Sequence, residues 1–330
     1  MAQKKRRGQS GPPLPLLLCG LLVILLRFFP GPAAVAPPDL PATDEPAAIP
    51  LPLEDSMVWE SAALAPLPTA PSAPPSQPVY LPDIREYRSG GPIYFKNETD
   101  YAIDLPALLR RDCPVNLGTE GVQVLIMHTH GTEAYTPSEA HPYTASGEYR
   151  TTDSEANMLR VGREIAHILN SRGISTLHST VLNDYPAYNG SYNRALKDIQ
   201  RYAEQYPSLR LVIDVHRDAI ASGNTYYKTA AEVDGQPTAQ LMFVTGTDAG
   251  GLSHPNWRDN LTFQAQLHDR LNSLYPGIMR PMSIRASRFN QHIRTGSMLL
   301  EVGACGNTLE EALAAAQIFA NTLADTLLAQ

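Results

Sequence analysis

From Gly121 onward, short apolar runs alternate with longer stretches whose apolar residues recur every three or four positions. The runs at 122–127, 211–215, 241–244 and 297–300 have almost no polar interruption. Strands covered on both faces read this way, whereas half-wet strands alternate. Between them, 155–170 carries Met158, Val161, Ile165 and Ile168 on one stripe, and 257–274 carries Leu267, Leu271 and Leu274 in register. Gly173 supplies a stop after the first of these helices, and 174–177 predicts another strand. Residues 191–202 predict a further helix. The last helix starts at Thr308, where Thr308 and Glu311 match a capping box, and its stripe is Leu309, Leu313, Ala316, Ala320, Leu323 and Leu327. Strands alternating with helices predict an α/β domain over 121–330, a three-layer sandwich with a mainly parallel central sheet. Upstream, 83–120 carries a weaker pattern. Residues 93–95 predict a short strand and 101–109 a short helix, with no chemistry assigned to either.

The N-terminal pattern is different. Lys4, Lys5, Arg6 and Arg7 precede an apolar stretch at 14–29 that is interrupted only by Arg27. A basic flank before an apolar stretch is the layout of an export signal. The expectation is a membrane anchor over 1–29 that remains uncleaved, with cleavage among the small residues at 32–36 as the alternative. Residues 30–82 hold 15 of the 29 prolines, six acids and no base. Proline removes backbone donors and fixes φ, so this stretch predicts a solvated, semi-extended stalk. In either case the rest of the chain is expected outside the cytoplasm.

Of the 330 residues, 43% are hydrophobic and 18% charged, which is ample for a core. The net charge of −7 argues against a general nucleic-acid binder, which needs a basic surface to displace counterions. Cys19, Cys113 and Cys305 are too few for a disulfide framework or a Cys-rich zinc module. No Gly-x-Ser-x-Gly elbow, P-loop or Gly-x-Gly-x-x-Gly is present, which disfavours serine hydrolases and nucleotide enzymes.

Three of the predicted strands end in ionisable residues. The first runs into His128-Thr-His130-Gly-Thr-Glu133, the second into Asp214-Val-His216-Arg-Asp218, and the last into Glu301-Val-Gly303. Polar chemistry in such sheets collects at the carboxyl ends of strands. Unpaired charges buried there would cost several kcal/mol, so three such ends predict one shared polar site. Asp214 is placed to hold the second nitrogen of His216. Asp153, just before a helix, is either an N-terminal cap or a ligand reaching into the rim. Two imidazoles, a carboxylate ligand and a free carboxylate at Glu301 are the set needed for a hydrolytic zinc site, with an open position for water. His254, before Trp257, either lines a substrate groove or packs on the indole.

The motifs that carry these residues are Met127-His-Thr-His-Gly-Thr-Glu-Ala-Tyr135, Arg150-Thr-Thr-Asp153 with Asn157, Val212-Ile-Asp-Val-His-Arg-Asp-Ala219, Gln240-Leu-Met-Phe-Val-Thr-Gly-Thr247, His254-Pro-Asn-Trp257 and Leu300-Glu-Val-Gly303. In this order over 120–330 they resemble the stage II sporulation protein P family of cell-wall hydrolases. That family is in turn similar to zinc-dependent N-acetylmuramoyl-L-alanine amidases. The resemblance implies Zn2+ held by His130, Asp153 and His216, with Glu301 as catalytic base. His128 remains an alternative to His130, and Glu133 or Glu155 an alternative to Asp153. It also implies cleavage of the amide between N-acetylmuramic acid and L-alanine in peptidoglycan, and endopeptidase activity on cross-links. The implied partners are stage II sporulation proteins D and M, and the implied location is the sporulation septum and the membranes around the forespore. A zinc peptidase acting only on stem peptides, or a non-catalytic peptidoglycan-binding scaffold, are the alternatives.

Overall fold

The computed structural model describes residues 85–88, 92–145, 149–222 and 225–329. The anchor expected at 14–29 and the stalk at 30–82 lie outside the described residues. Among the described residues, no helix is long and apolar enough to cross a membrane.

The strands are β1 (Arg85–Arg88), β2 (Pro92–Asn97), β3 (Val124–Met127), β4 (Thr176–His178), β5 (Leu211–Asp218), β6 (Ala221–Ser222), β7 (Thr225–Tyr226), β8 (Ala230–Val233), β9 (Gln236–Ala239), β10 (Leu241–Gly246), β11 (Met282–Arg285) and β12 (Met298–Ala304). The helices are α1 (Leu105–Leu109), α2 (Met158–Ser171), α3 (Ser191–Gln205), α4 (Trp257–Leu274) and α5 (Leu309–Leu328). Eight strands form one sheet in the order β1-β2-β11-β10-β12-β5-β3-β4, while β6-β7 and β8-β9 are small hairpins. β4, β3, β5 and β12 run parallel, as do β10, β11 and β2; the two blocks meet antiparallel at β10 and β12. The sheet is therefore mainly parallel, with an antiparallel seam that the apolar runs did not announce. It also begins before residue 121, because β2, which contains the strand expected at 93–95, pairs with β11.

Local chemistry sets the helix ends. The capping box read at Thr308 is present, with Thr308 and Glu311 exchanging bonds at the start of α5. α2 begins at Met158, where its apolar stripe starts and three residues later than the expected bound of 155. Asn157 is extended there and its side chain accepts from Leu159 N at 2.9 Å, which caps the helix. Gly173 then takes a left-handed φ of +83° and ends the helix.

One face of the sheet is buried under α2, α4 and α5, with Ile126, Ile213, Val215, Phe243, Leu300 and Val302 in the main core. On the other face, α3 packs Ala195 and Ile199 on Leu125, Met127 and Val212. Farther across that face, Met242, Val244 and Leu299 meet Phe289 from a loop. The second helical layer expected of a sandwich thus covers β3 and β5 and leaves a strip over β12 and β10 open.

Candidate active site

The open strip and the end of β3 enclose a cleft of about 560 Å³, whose lining includes His130, Glu133, His216, Arg280 and Glu301. Side chains alternate along a strand, so Asp214, His216 and Asp218 share the cleft face of β5, and Leu299 and Glu301 that of β12. Register places Glu301 directly beside His216 across the parallel pair and beside Met242 across the antiparallel one. Burial, followed by the Asp218 and Glu133 carboxylates, pushes the Glu301 carboxyl up to about 8 against the opposing influence of His216. Its Oε2 has no hydrogen-bond partner. An unpaired acid near neutrality beside a cleft has the properties of a proton carrier.

The two histidines that follow β3 diverge. His128 turns beneath α2, where its Nδ1 lies 2.9 Å from Val215 O and its Nε2 2.9 Å from His178 Nε2. Nδ1–H donates to the carbonyl, so Nε2 accepts from His178. Burial pushes His128 down to about 4 and His178 to about 3, which keeps the pair neutral. His128 does not line the cleft. Thr129 is pinned to Asp214 through its N at 2.8 Å and its Oγ1 at 2.6 Å, and the chain then turns His130 into the cleft. There its ring stacks on Tyr188 at 4.5 Å and stands edge-on to His216 at 5.3 Å. Its buried Nδ1 has no hydrogen-bond partner.

His216 lies between two carboxylates. Its Nε2 is 2.8 Å from Asp214 Oδ1, and its Nδ1 is 3.6 Å from Glu133 Oε2. Burial opposes its charge, but Asp214 and Glu133 outweigh burial and hold the imidazole well above its ordinary value. Glu133 is buried too. His216 and Arg217 overcome that burial and lower it to about 2. Arg150 braces the same corner, with Nη2 3.3 Å from Glu133 Oε1 and Nη1 2.9 Å from Asp184 Oδ2.

Asp153, expected as the third ligand, is exposed and absent from the cleft lining. Because α2 starts late, 153–155 form a solvent turn in which Asp153 Oδ1 accepts from Glu155 N at 2.9 Å. Glu155 is also exposed and pairs with Arg163 at 2.8 Å. The carboxylate brought to the imidazoles is Glu133. His254 is buried 3.2 Å from the Asn260 side chain and lies outside the cleft lining. Sequence reasoning assigned no role to Asp184, Tyr188 or Arg280. The signal for Arg150 was its place in the Arg150-Thr-Thr-Asp153 motif.

The donors suit zinc, which takes imidazole nitrogen and carboxylate oxygen. Two ligands about 2.1 Å from a tetrahedral centre stand about 3.4 Å apart, close to the 3.6 Å between His216 Nδ1 and Glu133 Oε2. His130, whose ring stands 5.3 Å from that of His216, adds an Nδ1 that makes no hydrogen bond and lies 4.0 Å from Asp184 Oδ2. Among the described residues, no three His, Cys, Asp or Glu side chains stand together at ligand spacing.

Several known proteins are similar to this chain. Stage II sporulation protein P of Bacillus subtilis (strain 168) is 28% identical over 228 residues, covering 64% of this chain and 53% of that protein. The chain thus spans about half the length of that relative. Among solved structures, the N-acetylmuramoyl-L-alanine amidase AmiC2 of Nostoc punctiforme aligns with 14% identity and a TM-score of 0.38 over 64% of this chain and 98% of its own. The amidase Ami1 of Mycobacterium smegmatis aligns with 15% identity and a TM-score of 0.38 over 65% and 100%. The sequence model of the family described as Stage II sporulation protein P (SpoIIP) matches residues 88–324. The chain belongs to the stage II sporulation protein P family.

Proposed function

We propose that this chain is a zinc-dependent peptidoglycan hydrolase of sporulation that cleaves the amide between N-acetylmuramic acid and L-alanine. The observation that carries this reading is the placement of Glu301, unpartnered and raised to about 8, beside His216 on the floor of a cleft that also holds His130 and Glu133. His130, Glu133 and His216 would hold the ion, with Glu133 in the place expected of Asp153. When bound, zinc acidifies water and polarises the amide carbonyl.

The chain's own residues do the rest. Asp214 orients His216 from behind, as a carboxylate backing an imidazole ligand does. Arg150 and the Arg217 N–H fix Glu133. Glu301 takes a proton from the attacking water and returns it to the departing amine, a role suited to a carboxyl raised toward neutrality. The anchor at 14–29, the stalk at 30–82, action on the wall at the septum and forespore membranes, and partnership with stage II sporulation proteins D and M complete the proposal. Endopeptidase activity on cross-links belongs to it as well.

The test is digestion of purified peptidoglycan by the full chain, with mass spectrometry of the products. Free stems beginning with L-alanine, abolished by a chelator and restored by zinc, are the expected outcome. Glu301→Gln should retain zinc and lower turnover by about 10²–10⁴-fold. Fragments cut only within the stem would make it a peptidase. Zinc-free protein that binds wall and releases nothing would make it a scaffold.

A further inference from the structure

The cleft is electrically divided. Imidazoles and acids gather on β5 and β12 and at the end of β3, while Lys96 and Arg285 line the other end, on β2 and β11, and Arg280, just before β11, reaches back to Asp218 of β5. Glu98 neighbours Lys96 and Arg285, and Asp218 of β5 neighbours Arg280, so these three cations face two anions within a chain of net charge −7.

Arg280 is 5% exposed, with Nη2 2.8 Å from Asp218 Oδ2. Its Nη1 is buried without a hydrogen-bond partner. A guanidinium has five donors in a fixed fork, and an unmet one costs desolvation with no return unless a ligand meets it. Lys96 stands directly opposite Ser283 in the β2–β11 register, and Ser283 Oγ accepts from Arg285 Nε at 2.7 Å. The row is thus ordered before any ligand arrives.

We propose that this open strip is a subsite for an acidic peptide, in which the free donor of Arg280 and the charge of Lys96 receive a substrate carboxylate. The sheet sets the reach. From Glu301 on β12, the path crosses β10 and β11 to Lys96 on β2, three steps of about 4.8 Å each, or roughly 14 Å. An extended peptide covers that distance in about four residues. The recognised carboxylate therefore belongs to the peptide side of the scissile amide, a few residues along. Arg suits planar carboxylates, and pairing to a charged acceptor is stronger than to a neutral one. The identity of the peptide rests on the amidase reading; the subsite itself rests on the cation row.

Calorimetric binding to the full chain tests it. The probes are N-acetylmuramoyl tripeptide with free carboxylates and the same compound with its side carboxyls amidated. The free acid should bind about tenfold tighter. Lys96→Gln and Arg280→Gln should each remove that preference while leaving affinity for the amidated compound unchanged. Lys96 is half-exposed, so its variant reads the subsite even if Arg280→Gln disturbs the buried pair with Asp218. Equal affinity for the two probes, no binding of either, or an equal loss for both in Lys96→Gln overturns the proposal. A preserved preference in a protein that cuts no wall would leave the subsite standing and sink the amidase reading alone.

Discussion

Met298, Leu300 and Val302 of β12 face the layer of α2, α4 and α5, in the main core. Leu299 and Glu301, alternating with them, face the strip that no helix among the described residues covers. One strand therefore carries packing on one side and chemistry on the other. On the covered side every polar group must be neutral or paired. The open side holds an unpartnered carboxyl, which burial raises to about 8 so that it can stand there uncharged near neutral pH.

The largest expected effect that sharpens this contrast is in packing. Leu300→Ala should cost about 2–5 kcal/mol in urea unfolding, since its neighbours cannot collapse into the space. Leu299→Ala should cost less by at least about 1 kcal/mol, because cleft water can enter and the cavity term falls away. Equal losses would break the distinction between the faces. Gly162→Ala comes next. A Cβ there would meet His128 and His178 inside van der Waals contact, prising apart the neutral pair under α2. About 1–3 kcal/mol of overpacking is expected, measured as a fall in denaturant midpoint.

The smallest effect is a pH dependence. His268 on α4 is buried and pushed down to about 3 by burial alone. It is neutral when folded and takes up a proton more readily when unfolded. Its contribution is present in full above the unfolded value of about 6.5 and is lost as pH falls from there toward 3. Replacing His268 with Leu should therefore narrow the gap in Tm between pH 7 and pH 5, by on the order of 1 kcal/mol in stability. An unchanged gap would show that the covered layer accommodates the charge.

Much of this was legible in the chain because it is local. Apolar runs gave β3, β5, β10 and β12, and the capping box at Thr308 marked α5 to the residue. Asp214 behind His216 followed from alternation on a single strand. What failed depended on contacts distant in sequence. The ligand role of Asp153 came from the resemblance of its motif, with an N-terminal cap as the alternative; Asn157 caps α2 instead, and Asp153 lies in solvent. Nothing within 127–133 distinguishes His128 from His130, since the choice is made by Val215 and His178, 87 and 50 residues away. The cation row drew on β2 and on Arg280, from segments to which no chemistry had been assigned.

Among the described residues, the strip beside α3 is a floor without a roof. A tunnel must be threaded from a loose terminus, and a cross-linked mesh offers few of those. A floor of this kind can be laid against the mesh anywhere along a strand, so on the amidase reading a stem can reach Glu301 without a free strand end.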